Sequence, residues 1–166
     1  MKLTSDTANK TIKNLQAEMD AVLAYESQSR TYSHGPTENP IVPAYDFNET
    51  ETKLDAIRGK IAVLKHAVNR FNMETIVPGL NITVDEALGR MAWLHSQKKR
   101  LYNMLQIPET GRQRAYGGRE PDITHRNFDP VPVKARYDEV CQELMDVQQA
   151  INIANLTVTF EVDLSE

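Results

Sequence analysis

The residues of this chain best suited to chemistry stand far apart in sequence. Nucleophilic catalysis needs an activated Ser or Cys beside a base, and Cys141 follows Val140 on an apolar helical stripe, where a lone cysteine packs as a small hydrophobe. His34, His66, His95 and His125 are never three or four residues from one another. A metal site inside a helical bundle needs a Glu-x-x-His pair on each of two helices, so that both ligands face inward one turn apart. The only carboxylate three residues upstream of a histidine is Asp122, ahead of His125, outside any expected helix. Gly79, Gly89 and Gly111 are too scattered for a phosphate-cradling loop, and no Gly-x-Ser-x-Gly elbow occurs. Glu139, Glu143 and Asp146 do share one helix face, as a magnesium-dependent nucleotide hydrolase requires of one helix. The second carboxylate pair is not supplied by Glu49, Glu51 and Asp55, whose spacing differs. No catalytic residue, metal ligand or cofactor site is assigned, no cofactor is expected, and the hydrolase stays an alternative.

Two further groups of side chains are candidates for binding. Lys98, Lys99, Arg100, Arg112, Arg114, Arg119 and Arg126 are interleaved with Tyr102, Tyr116 and Phe128. Cations that neutralise phosphates beside rings that stack on bases suit a single-stranded nucleic acid, with Arg112, Arg114, Tyr116, Arg119 and Arg126 as the contacts. The competing reading is internal. Residues 98–136 carry nine Lys/Arg against four Asp/Glu, while residues 137–166 carry seven Asp/Glu and no Lys or Arg. The acidic end therefore offers the basic segment a partner within the chain, and the net charge of -4 repels phosphate at long range. Internal pairing is the preferred reading and nucleic acid the disfavoured partner. Asn69, Asn72 and Asn155 fall at or near expected helix ends, where asparagine caps by local hydrogen bonds. A polar cluster formed where those ends meet is the alternative.

Four helices must position these residues. Ala8, Ile12, Leu15, Met19 and Val22 recur at helical spacing and predict a helix over about 4–29. Residues 30–45 hold Gly35, Pro36, Pro40 and Pro43 and predict an extended surface loop. Asp46 and Glu49 have the spacing of a capping box, opening a helix over about 47–73 whose stripe is Leu54, Ile57, Ile61, Leu64, Val68 and Phe71. Pro78 and Gly79 mark a turn, and Leu80, Ile82 and Val84 alternate like a short strand. Thr83 and Glu86 form a second capping-box spacing ahead of a helix over 84–105, whose apolar face is interrupted at Lys98. The Gly117–Gly118 pair suggests a hairpin between residues 112–116 and 122–128.

Pro130 and Pro132 lead into the fourth helix, with the stripe Tyr137, Val140, Leu144, Val147, Ile151 and Ala154. From Leu156 the period drops to two through Val158, Phe160, Val162 and Leu164, the pattern of a half-buried strand. That strand needs a partner for its backbone, and the segment near residues 123–128 is the expected one.

The expected fold is mainly α: a four-helix antiparallel bundle, one domain over 1–166, with a small antiparallel sheet made by the connection between helices three and four and the C-terminal strand. The polar segment 1–10 lacks the apolar core of a signal peptide, and no apolar run is long enough to span a bilayer, so no membrane partner is expected. A single cysteine fits a reducing cytoplasm. Two unbroken stripes also suit pairing between chains, since a coiled-coil seam looks the same whichever molecule supplies its other side. The expected role is therefore a homo-oligomeric structural or protein-interaction module, with another protein as a second type of partner.

Three blocks carry a resemblance. Asn69-Arg70-Phe71-Asn72, then Leu80-Asn81-Ile82-Thr83 leading into Glu86-Ala87-Leu88-Gly89-Arg90, then Ile151 to Thr157 with Asn155, resemble blocks in the same order in a family of uncharacterised small bacterial proteins. That family is a domain of unknown function, some of whose members are labelled septicolysin, and the resemblance covers about residues 47–164. It implies a mainly helical fold with strands after the third helix and at the end, and it brings no established activity. The amphipathic hairpins or apolar span of a pore are not evident in the sequence.

Overall fold

The computed structural model describes residues 1–113 and 122–164. Among the described residues eight elements follow one another: β1 (Lys2–Thr4), α1 (Ser5–Ser29), α2 (Phe47–Glu74), α3 (Val84–Leu105), β2 (Thr110–Gln113), β3 (Asp122–His125), α4 (Pro130–Thr157) and β4 (Thr159–Glu161). The mainly α class expected from the helical periods is the one adopted, with four helices and two small antiparallel sheets. The chain divides into two compact units, Met1–Thr75 with Ile153–Glu166, and Ile76–Asn152.

In the first unit, Thr4 ends β1 and caps α1, its hydroxyl accepting a hydrogen bond from the Thr7 amide at 3.2 Å. Asp46 does the same for α2, accepting from the Glu49 amide at 2.8 Å. The reciprocal half of the expected capping box is replaced by an ion pair between Glu49 and Lys53 at 2.6 Å. The stripes of α1 and α2 then meet: Ala8, Ile12, Ile57, Ile61, Leu64 and Ala67 form one buried cluster with Leu3 and Val162, and Leu15, Met19, Val22 and Val68 pack at its edge. Each fully buried aliphatic side chain contributes roughly 1.5–3 kcal/mol. The proline-rich loop between the two helices lies on the surface. It is tied down by Tyr25, which donates to the Ala44 carbonyl at 2.6 Å, and by Tyr45, which donates to Glu26 Oε1 at 2.6 Å.

The C-terminal strand finds a different partner from the one expected. β4 pairs antiparallel with β1, in the register Lys2↔Glu161, Leu3↔Phe160 and Thr4↔Thr159. The expected pairing with residues 123–128 is not formed; β3 pairs with β2 instead, Thr110 opposite His125 and Gln113 opposite Asp122. One sheet becomes two. The reason is length, because the three residues of β1 are too few to show a period of two. The strand also starts later than the alternation suggests: α4 continues through Leu156 and Thr157, and Leu156 is left exposed. Val162 lies beyond β4 yet is buried, and its amide donates to the Met1 carbonyl at 2.9 Å. Phe160 meets Phe71 of α2 with ring centroids 5.2 Å apart.

The second unit opens with a tight turn rather than the expected short strand at Leu80 to Val84. The Val77 amide donates to the Ile82 carbonyl at 2.8 Å, and a single bridge links Ile76 with Thr83. Gly79 at φ 83° and Asn81 at φ 59° turn the chain too sharply for a ladder to extend. Thr83 and Glu86 complete the expected capping box in both directions, at 3.2 Å and 2.8 Å, and start α3. α3 and α4 run antiparallel, as Arg90 meets Glu143 while Tyr102, further along α3, meets the earlier Tyr137 of α4. Their buried side chains include Leu94, Leu101, Val140, Leu144 and Val147.

Candidate functional site

The side chains with the most binding chemistry in the second unit gather on one face of α3. His95, Lys98, Lys99 and Tyr102 recur at steps of three and four, so the helix places them side by side. With Tyr137 of α4 they line an open cleft of about 540 Å³. The Tyr102 and Tyr137 rings tilt against each other, with centroids 6.4 Å apart. The Cys141 thiol beside the Tyr137 phenol, together with desolvation, raises the Tyr137 pKa above the ordinary 10.0. Cys141 is thus a half-buried partner of a tyrosine.

Of the basic segment 98–136, the described residues that pair with the acidic end are Lys134, with Asp138, and Arg136, with Glu139. Glu139 pairs with Arg136 of its own helix at 2.8 Å, Glu143 accepts from Arg90 at 2.6 Å, and Asp146 accepts from Gln142 at 2.9 Å. Those nearer partners fill the acidic face. Among the described residues, Lys98, Lys99, Arg100, Arg112 and Arg126 form no ion pair. Arg100 bonds to Gln97, while Arg126 donates to the Ile107 carbonyl at 3.4 Å and lies 5.7 Å from the Phe128 ring centroid. Arg112 and His125, on opposite strands of the β2–β3 hairpin, line a second groove of about 430 Å³ with Thr110, Gly111 and Ile123. Arg114, Tyr116 and Arg119, and with them the Gly117–Gly118 turn, lie outside the described residues.

Asn69 is exposed, Asn72 is half-buried, and Asn155 is half-buried with its Oδ1 enclosed and without a hydrogen-bond partner. No hydrogen bond joins any two of the three. The other histidines are separate: His34 contacts the Gly35 carbonyl in the loop, and His66 is exposed on α2. Among the described residues no group of three or more His, Cys, Asp or Glu side chains is arranged to hold a metal ion. No helix among them is long and apolar enough to cross a membrane.

Sequence spacing singled out Lys98, Lys99 and Tyr102 but not His95 or Tyr137 as parts of one site. The usable signal was the break at Lys98, a cation where the apolar face of α3 should continue. Tyr137 read as core because it opens the stripe of α4, and only the antiparallel packing of the helices brings it to Tyr102.

No family model matches the chain, and no curated protein matches it. A solved structure from Corynebacterium diphtheriae, described as a functionally unknown conserved protein, is similar over 97% of this chain and 100% of its own, with a TM-score of 0.66 and 17% sequence identity. At that identity the likeness shows the fold alone. The function is unknown for both proteins.

Proposed function

We propose that the protein is a homo-oligomeric interaction module, working in the cytoplasm through contacts between its helices, as a bacterial relative of the uncharacterised family its sequence blocks resemble. The observation that carries this reading is the position of the only tryptophan. Trp93 stands on α3 with 51% of its surface exposed, one turn after Gly89, where an added Cβ would meet nothing within 4 Å. A large ring beside an open notch is a poor use of apolar surface in an isolated chain. It is a common form of anchor at a protein interface, where tryptophan is enriched among the residues that dominate binding. Exposed Leu88 on α3 and Met145 on α4 add apolar surface to the same unit. On the first unit Leu23, Tyr25 and Val63 are likewise exposed on α1 and α2.

Trp93 also reports its own environment, since it is the only indole in the chain. Its emission is expected to lie to the blue at micromolar concentration and to shift to the red on dilution as copies separate. Trp93→Ser is expected to weaken association while leaving the helical signal unchanged. Emission of a solvated indole at every concentration would contradict this role for Trp93.

A further inference from the structure

We propose that the cleft between α3 and α4 binds single-stranded nucleic acid, with Lys98 and Lys99 neutralising phosphates and the Tyr102–Tyr137 pair stacking on a base. The argument starts at Lys98. It is half-buried on a helix face that should be apolar, and among the described residues no carboxylate pairs with it. Lys98 and Lys99 thus bring two positive charges to the rim of one cleft, and nothing in the packing of α3 requires a cation there. An anion arriving in the cleft supplies the missing partner. Among the described residues, Lys13, Lys60, Lys65 and Arg70 of the first unit are in no ion pair either; what sets Lys98 and Lys99 apart is that they line one cleft together with the Tyr102 and Tyr137 rings.

The rest of the cleft selects among anions. Tyr102 is half exposed, and its ring borders the same opening as His95, Lys98 and Lys99. An aromatic platform beside two ammonium groups matches a base and its flanking phosphates, and an unstacked base is offered by a single strand rather than a duplex. The hairpin of the same unit repeats the combination: Arg112 and His125 line the second groove, and Arg126 lies over Phe128. An acidic peptide would satisfy the lysines but would leave the rings unused. The net charge of -4 opposes approach from a distance, so binding depends on these local cations and on low salt.

The test is fluorescence anisotropy of labelled oligo(dT) and oligo(U) with the full chain, titrated over a range of salt. The expected result is binding at low salt that weakens steeply as salt is added. Replacing both lysines (Lys98→Gln with Lys99→Gln) should reduce affinity by roughly tenfold or more and flatten the salt slope by about 2. Tyr102→Leu should cost roughly tenfold with the slope unchanged, because it removes stacking and no charge. Lys13→Gln with Lys65→Gln, on α1 and α2, removes the same charge elsewhere and should leave binding as it was. Circular dichroism checks that each variant is folded. No anisotropy change at low salt overturns the proposal, as does binding untouched by the Lys98 and Lys99 changes. Competition by polyglutamate as effective as by the unlabelled oligonucleotide overturns it too, and identifies an acidic peptide surface as the ligand.

Discussion

Thr83 does two things at once: its backbone closes the bridge to Ile76, and its hydroxyl caps α3 by accepting from the Glu86 amide at 3.2 Å. Thr83→Ala keeps the first and loses the second, so it should destabilise the protein by about 1 kcal/mol in denaturant unfolding. A second test at this scale uses pH. Tyr45 donates to Glu26, and that bond, with desolvation and the Glu26 charge, raises the Tyr45 pKa above 10.0; Tyr137 is raised through Cys141. A phenol whose folded pKa is raised contributes stability that is whole below its ordinary value and is lost as pH rises through the raised one. The loop tie and the Tyr137–Cys141 contact should therefore hold through neutral pH and fail only above about pH 10. In an ultraviolet titration of tyrosinate, Tyr45→Phe and Tyr137→Phe should each remove a late-titrating component; loss of an early one would contradict the assignment. The capping residues were legible in sequence because Thr-x-x-Glu and Asp-x-x-Glu are local patterns. The surplus cation at Lys98 was legible only as a break, since its missing partner depends on which carboxylates Arg90 and Arg136 occupy.

Among the elements, β1 and β4 close the first unit by joining its two chain ends. Cutting the chain after Asn155 removes β4, the Phe160 contact with Phe71 and the buried Val162. The truncated protein should melt at lower temperature and bind a hydrophobic dye, and the milder Val162→Ala should cost about 1–3 kcal/mol. An unchanged melting temperature for the truncation would contradict the role given to this sheet. The helices were legible nearly to the residue: α3 covers 84–105 as its capping box and apolar period predict, and α1 and α2 differ from expectation by a residue at their ends. The sheets were not. A helix declares itself by a local period, whereas strand pairing is a contact across the whole chain, and Lys2–Thr4 is too short to announce a strand. The alternation from Leu156 also misled, because the last turn of α4 carries it into the helix.

For the whole molecule, the mainly α class and the antiparallel helical pairs followed from the sequence, but where its binding surfaces lie did not. Tyr137 sits in an apolar stripe and Trp93 in none that the spacing marks; packing leaves Trp93 exposed and brings Tyr137 to the rim of a cationic cleft. Those two surfaces, one apolar and one cationic, carry the functional account, and self-association is its central claim. The direct measurement is the mass in solution by light scattering over a wide range of concentration. The account predicts a mass above that of the 18.8 kDa chain, falling toward it on dilution and closer to it for Trp93→Ser; a mass of 18.8 kDa at every concentration would contradict it.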